Sequence, residues 1–228
     1  MVNYTTSPAP THTCTQWTHT MISSHELGIP VIDTVVGPGE NRYAGALRGA
    51  LERMDVEVHP WRLEDLLDPE VRQRLACFDA LILSGNQGYE PHFSELAGIA
   101  DICQWLVSGF PGWVFGICRG NHLQVVAHGA TLGEYPEHGM KEVLLTAHAA
   151  QDPLLHNISS PVVLWQDHSL GINRTGQMNI LGTSPDCPVQ IMRLEGTHNY
   201  GTQGHPELSA QELLINFLRI VRHRGRKF

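Results

Sequence analysis

Two short stretches of the 228-residue chain combine residue types that could cleave an amide or ester bond. The first is Gly116-Ile117-Cys118-Arg119-Gly120, a thiol with a glycine two positions to either side. Glycines so placed let a strand turn sharply into a helix and hold the residue between them strained and exposed at the apex. A cysteine at such a helix N-terminus meets unpaired N–H groups and the helix dipole, which favour the nucleophilic thiolate. The amide of Arg119 then points to where an oxyanion would form. The competing reading is a buried structural cysteine at a strand end, and the paired glycines argue against it.

A thiol nucleophile needs a base within hydrogen-bond reach, and the base needs an orienting group. The chain has 14 histidines, so no single one is informative by itself. Gly201-Thr202-Gln203-Gly204-His205-Pro206-Glu207 stands apart because it sets an imidazole and a carboxylate two residues apart. In an extended segment such residues project to the same side, so Glu207 can reach His205 and fix its tautomer. Read alone, His-Pro-Glu is equally a turn before a helix.

The elements around these stretches follow from apolar periodicity. Trp113 to Phe115 reads as a buried strand entering the elbow, and Leu123, Val125, Val126 and Ala127 as the helix leaving it. Upstream, Ile29 to Val36 is a β-branched strand, and Tyr43, Leu47, Leu51 and Met54 form one helical stripe. Val56-Glu57-Val58, a helix from Leu63 to Leu75, the strand Asp79–Ser84 and a helical face from Ala97 to Val107 complete this half. Such alternation predicts a parallel sheet covered on both faces. After the elbow, Val143–Thr146, Val162–Trp165, Met178–Leu181 and Val189–Met192 are short strands between turns, expected as a small antiparallel layer. Ser209-Ala210-Gln211-Glu212 has the form of a capping box ahead of a last helix carrying Leu213, Leu214, Phe217, Leu218 and Val221. Residues 1–28 are rich in Thr, Ser and His without a period and are expected as an irregular arm, leaving one domain over 29–228.

Composition narrows the function classes. At 42% hydrophobic and 17% charged the chain suits a compact domain with a full core. A net charge of −8 argues against nucleic acid as a partner. The basic tail Arg222-His223-Arg224-Gly225-Arg226-Lys227 reads as a solvated helix end. No apolar run is long enough for a membrane span, and no secretion signal is evident. Five scattered cysteines (14, 77, 103, 118, 187) do not suggest a disulfide framework, so a reducing cytoplasmic setting is expected. His12, Cys14, His19 and His25 match no zinc spacing, no nucleotide loop is found, and neither metal nor cofactor is expected.

Together these stretches resemble the class I glutamine amidotransferases. The resemblance rests on the Gly116–Gly120 elbow, the loop Ser84-Gly85-Asn86 after the preceding strand and the segment Gly201 to Glu207, in the family's order. Asp152-Pro153-Leu154-Leu155 and Pro185-Asp186-Cys187-Pro188-Val189-Gln190 also look like its linking segments. The resemblance implies a flavodoxin-like, three-layer α/β domain with a mainly parallel central sheet and a Cys118-His205-Glu207 triad. It implies that Cys118 attacks a γ-glutamyl side-chain amide, His205 protonates the leaving nitrogen and activates water, and Glu207 orients His205. The main-chain amides of Asn86 and Arg119 would hold the oxyanion, and Gly85, His122, Asp167 and His168 would line the substrate side.

Departures fall on that substrate side. The family has glycine where Asn86 stands, often to permit a positive φ, and asparagine is the next most tolerant residue there. It has glutamine at the position of His122, and a Ser-His pair at Asp167-His168. Gln124 would face elsewhere on the helix. His122 could bind a carboxylate when charged, mark a different substrate, or be a hydrogen-bonded structural histidine. The leading expectation is therefore a stand-alone amidotransferase-type enzyme that cleaves glutamine or a close γ-glutamyl amide through a thioester, with a separate ammonia-accepting synthetase as partner if ammonia is transferred. The alternatives are a γ-glutamyl hydrolase that releases an amine, and a catalytically silent binding protein on the same fold.

Overall fold

The computed structural model describes residues 27–35, 40–86, 97–173 and 177–224. The expected arm and its histidines lie outside these residues apart from Leu27 and Gly28, as do Val36 and the end of the basic tail. Strands β1 (Gly28–Asp33), β2 (Glu57–Arg62), β3 (Ala80–Leu83) and β4 (Trp113–Ile117) alternate with helices α1 (Arg42–Glu52), α2 (Pro69–Leu75) and α3 (Ile99–Ser108). Helix α4 (Arg119–Ala127) follows the elbow. Then come β5 (Leu132–Leu145), β6 (Val162–Ile172), β7 (Met178–Thr183), β8 (Ile191–Leu194) and β9 (Asn199–Thr202), and finally the short α5 (Pro206–Ser209) and α6 (Glu212–Arg224).

Among the described residues the strands form one sheet in the order β2-β1-β3-β4-β9-β8-β7-β5-β6. The strands β2, β1, β3, β4 and β9 run parallel, as the alternation predicts. The later strands continue this sheet antiparallel from β9 outward, and β5 and β6 form a long two-stranded ribbon at its end. The fold is the expected flavodoxin-like α/β arrangement. Residues alternate across its parallel part: Ile29, Val31, Ile82 and Phe115 pack toward Leu47, Leu51 and Phe217, whereas Ile32, Leu81, Leu83 and Val114 pack toward Ile102, Leu106 and Leu123. Each such side chain stabilises the fold by roughly 1.5–3 kcal/mol relative to exposure, so this two-faced core holds β3 and β4 rigidly under the site.

Three local expectations change. The helix expected over Leu63–Leu75 is a 3₁₀ turn over Leu63–Leu67 followed by α2. Pro69 takes the first helical position and Asp68 is held extended before it, accepting from the Glu70 amide, because a residue before proline avoids the helical region. Strand β5 begins well before Val143, at Leu132, over a mainly polar stretch that alternates between exposed and half-buried apart from the buried Glu137 and so carries little apolar signal. Ser209 does not cap α6: its hydroxyl accepts from the Trp165 amide at 2.9 Å and donates to the His205 carbonyl at 3.3 Å, tying α5 to β6.

Candidate active site

Cys118 lies between β4 and α4 with φ 48° and ψ −110°, a conformation that costs a side-chain-bearing residue about 1–3 kcal/mol. Its amide donates to the Thr202 carbonyl at 2.8 Å, so β9 grips the apex from one side. The flanking glycines are required by contact. A Cβ at Gly116 would lie 2.6 Å from Asn121 Cα, and one at Gly120 would lie 2.3 Å from the Leu83 carbonyl oxygen. The Gly120 amide donates to the Ser84 carbonyl at 3.1 Å, which binds the elbow to the loop after β3. The elbow is thus strained as expected, but its thiol is not exposed: Cys118 is 4% accessible.

The burial comes from what surrounds it. A Cβ at Gly85 would fall 2.5 Å from His205 Cε1 and 3.4 Å from Cys118 Cβ, so only glycine fits between the loop and these two side chains. His205 is fully buried and pairs by its main chain with β6, its amide donating to the Trp165 carbonyl at 2.8 Å. Its Nδ1 lies 2.7 Å from Glu207 Oε1. The two meet because His205 is the extended residue before α5 and Glu207 sits in that helix's first turn, rather than because both are extended. Burial alone would push the His205 imidazole down. The side chains of Cys118 and Glu207 outweigh it and raise the ring to about 10, so it is protonated at neutral pH. The His205 Nε2, with no hydrogen bond of regular geometry among the described residues, is the nitrogen left for a reacting group.

Asn86, expected to supply an oxyanion amide, is buried on the same loop. Positive φ among the described non-glycine residues falls at Asp55, Cys118 and Asn157, so asparagine carries no conformational penalty at position 86. Arg119 opens α4 directly after the thiol.

The four residues expected on the substrate side are mostly engaged within the protein. His122 is buried, and its Nε2 lies 2.9 Å from Gln203 Oε1. Gln203 in turn directs its Nε2 toward Cys118 Sγ at 3.9 Å. Burial drives the His122 pKa down to about 4, against the opposing pull of Gln203, so the ring is neutral and does not offer a charge to a carboxylate. His168 Nε2 lies 3.2 Å from Glu137 Oε2, both side chains almost fully buried, and burial lowers its pKa despite that carboxylate. Glu137 also accepts from Ser184 at 2.9 Å and from Gln190. Asp167 accepts from the Tyr43 hydroxyl at 2.5 Å and from Arg42 at 2.9 Å, and its other oxygen faces His138 Nδ1 at 3.1 Å. Partial burial pushes Asp167 up, but Tyr43, His138 and Arg42 hold it below the ordinary carboxylate value. Gln124 faces away as expected, donating to Asn121 Oδ1 and the Tyr200 carbonyl.

The head of α1 supplies contacts that the sequence pattern conceals. Tyr43 stacks on His205 with ring centroids 3.8 Å apart and planes at 22°. Asn41 caps the helix by accepting from the Tyr43 amide and donates to the Gly85 carbonyl at 2.8 Å. Tyr43 falls in an apolar helical stripe, and nothing in its spacing separates a ring that serves a site from one that fills a core.

Similar proteins agree with this fold. The family model described as glutamine amidotransferase class-I matches residues 40–220. One subunit of a glutamine-hydrolyzing GMP synthase from Methanosarcina barkeri is 29% identical over 175 residues, 73% of this chain and 84% of that protein. A glutamine-hydrolyzing GMP synthase from Clostridium botulinum is 30% identical over 169 residues, 71% of this chain, and the match spans only 30% of that longer protein. Among solved structures, a Thermoplasma acidophilum protein described as a GMP synthase subunit superposes with a TM-score of 0.72 at 21% identity, covering 89% of this chain and 98% of its own. With a family match that spans most of the sequence and the same fold beneath it, the chain belongs to the class I glutamine amidotransferases.

Proposed function

We propose that the protein hydrolyses the side-chain amide of glutamine through a thioester on Cys118 and releases ammonia for a separate synthetase. The observation that carries this reading is the strained Cys118 set against a buried His205 whose Nδ1 is held by Glu207 at 2.7 Å. The Cys118 sulfur adds to the amide carbon, and the oxyanion that forms is met by the main-chain amides of Arg119 and Asn86. The carbon–nitrogen bond breaks as protonated His205 gives its proton to the leaving nitrogen, which departs as ammonia. The neutral ring then takes a proton from water as the water adds to the thioester. Glutamate leaves, and the thiolate and protonated ring are restored. Glu207 keeps the tautomer and supports the charge on His205 throughout.

The names of the M. barkeri and C. botulinum relatives support glutamine as substrate, and the M. barkeri relative's standing as one subunit of a synthase supports a separate, ammonia-accepting partner. A working thiol fits a reducing, cytoplasmic setting. The test is an ammonia-release assay with glutamine alongside γ-glutamyl amines, with mass spectrometry of the Cys118 peptide after a diazo-oxo-norleucine-type glutamine analogue. Ammonia from glutamine and an adduct on Cys118 are expected. Turnover of γ-glutamyl amines alone would replace the reading with a γ-glutamyl hydrolase. Turnover of neither, with no adduct, would leave a silent binding protein.

A further inference from the structure

The first residues of α1 touch the candidate site at three points, and Tyr43 is the one in contact with a reacting group. It is 1% accessible and lies face to face with His205, on a side of the imidazole that neither Cys118 nor Glu207 supports through a hydrogen bond. Its hydroxyl is held in turn: Asp167 accepts from it at 2.5 Å, and Arg42 donates to it at 2.8 Å. Arg42 also bonds Asp167 at 2.9 Å, which closes a triangle of contacts over the tyrosine tip. Asn41 fixes the start of the helix to the Gly85 loop, which itself packs on His205. The ring therefore has little freedom to leave the imidazole. An aromatic face also favours the charged form of the group stacked on it.

We infer that Tyr43 is a positioning residue for His205: its ring fixes the plane of the imidazole beside Cys118, and Asp167 with Arg42 fixes the tyrosine. This rests on the thiol chemistry proposed above. It also gives Asp167 a task other than lining the substrate side. The ring carries the effect and the hydroxyl only steadies it. Loss of the ring lets the imidazole turn out of its plane and so lowers the share of molecules in which His205 is aligned with the Cys118 sulfur.

The test compares Tyr43→Leu with Tyr43→Phe, since phenylalanine keeps the ring and loses the link to Asp167. Three quantities are read: kcat and KM with glutamine, the rate at which iodoacetamide alkylates the Cys118 peptide at neutral pH, and thermal unfolding. Tyr43→Leu is expected to lower both kcat and the alkylation rate by about tenfold, the upper range for one aromatic contact, with KM within about twofold. Tyr43→Phe is expected to keep both rates within about threefold of wild type. Because the leucine variant could unfold, the wild-type protein supplies a second readout. Its His205 ring protons, identified by their loss in His205→Ala, should be shifted upfield by the stacked tyrosine. Unchanged alkylation in a folded Tyr43→Leu, a phenylalanine variant as impaired as the leucine one, or an unshifted His205 signal would each overturn the inference. If wild type does not turn over glutamine yet its alkylation depends on Tyr43 as stated, the amidase reading falls and the positioning role stands.

Discussion

The elbow side of the candidate site and its substrate side treat their polar atoms differently. On the elbow side, strain and charge remain after folding. Cys118 keeps a positive φ, and His205 stays protonated with Nε2 not engaged by any regular hydrogen bond among the described residues. On the other side, the polar groups largely satisfy one another: His122 with Gln203, His168 with Glu137, Asp167 with Tyr43, Arg42 and His138. A group that must act on a substrate has to retain something for it, whereas groups fully engaged inside the protein hold shape. On this contrast we propose that Cys118, His205 and Glu207 carry the chemistry. The same reading gives His122 and Asp167, whose polar atoms bond within the protein, a supporting role.

The contrast breaks most directly at the thiol. Cys118→Ala should abolish turnover, by roughly a thousandfold or more in kcat, while urea unfolding at pH 7 changes little. Labelling by a glutamine analogue at Cys103 or Cys187 instead of Cys118 would transfer the chemistry elsewhere. Next comes the imidazole. His205→Ala should lower kcat by about a hundredfold or more, as loss of an acid-base group does. Glu207→Gln should reduce the same parameter less, because it removes orientation and leaves the proton carrier. The raised pKa of His205 sets the alkaline limit. The stabilising contribution of its charged ring is complete below pH 6.5 and is lost as pH rises through about 10, so kcat and stability should decline together there. A kcat that is flat to pH 11 would contradict a protonated His205 as acid.

A packing prediction sharpens the same comparison. Gly120→Ala puts a methyl group 2.3 Å from a main-chain oxygen, and Gly45→Ala puts one in open space within α1. The first should destabilise the fold by about 1–3 kcal/mol in urea unfolding. The second should leave stability equal or raise it by up to about 1 kcal/mol. Equal effects would mean that the elbow does not depend on its glycines.

What was legible in the sequence follows the same division. Gly116, Cys118 and Gly120 announce themselves because a strand-to-helix reversal this tight excludes side chains at fixed offsets, and few other needs produce that spacing. The parallel half of the sheet is legible because strands buried on both faces must be almost wholly apolar, as Ala80–Leu83 and Trp113–Ile117 are. The support residues were not legible. Tyr43 satisfies the helical stripe as well as any core tyrosine, and its contact with His205 depends on how α1 packs against α5, which is tertiary. Residues 132–142 in β5 carry too little apolar alternation to read as a strand. His122 could be placed on the face of Cys118 by helical spacing, but whether it would meet a substrate or Gln203 depended on a segment 81 residues away.

The last prediction decides that remaining point. His122 has its pKa lowered to about 4 by burial, whereas in an unfolded chain it titrates near 6.5. Between these values the unfolded chain takes up a proton that the folded protein refuses. Stability therefore falls as pH falls from about 6.5 toward 4, and one such histidine accounts for about 2 kcal/mol between pH 7 and pH 5. Glutamine at this position can still donate to Gln203 Oε1 and does not titrate. His122→Gln should thus be close to wild type in urea unfolding at pH 7 and more stable than wild type at pH 5, with the slope of stability against pH flattened. A supporting residue predicts that KM for glutamine stays within about twofold, because the imidazole is engaged by Gln203. A substrate-binding residue predicts instead that KM falls by tenfold or so in the variant, as a better-matched donor meets the ligand. A large fall in KM with an unchanged pH slope would return His122 to the substrate side. A flattened slope with KM unmoved would leave it where its hydrogen bond to Gln203 puts it.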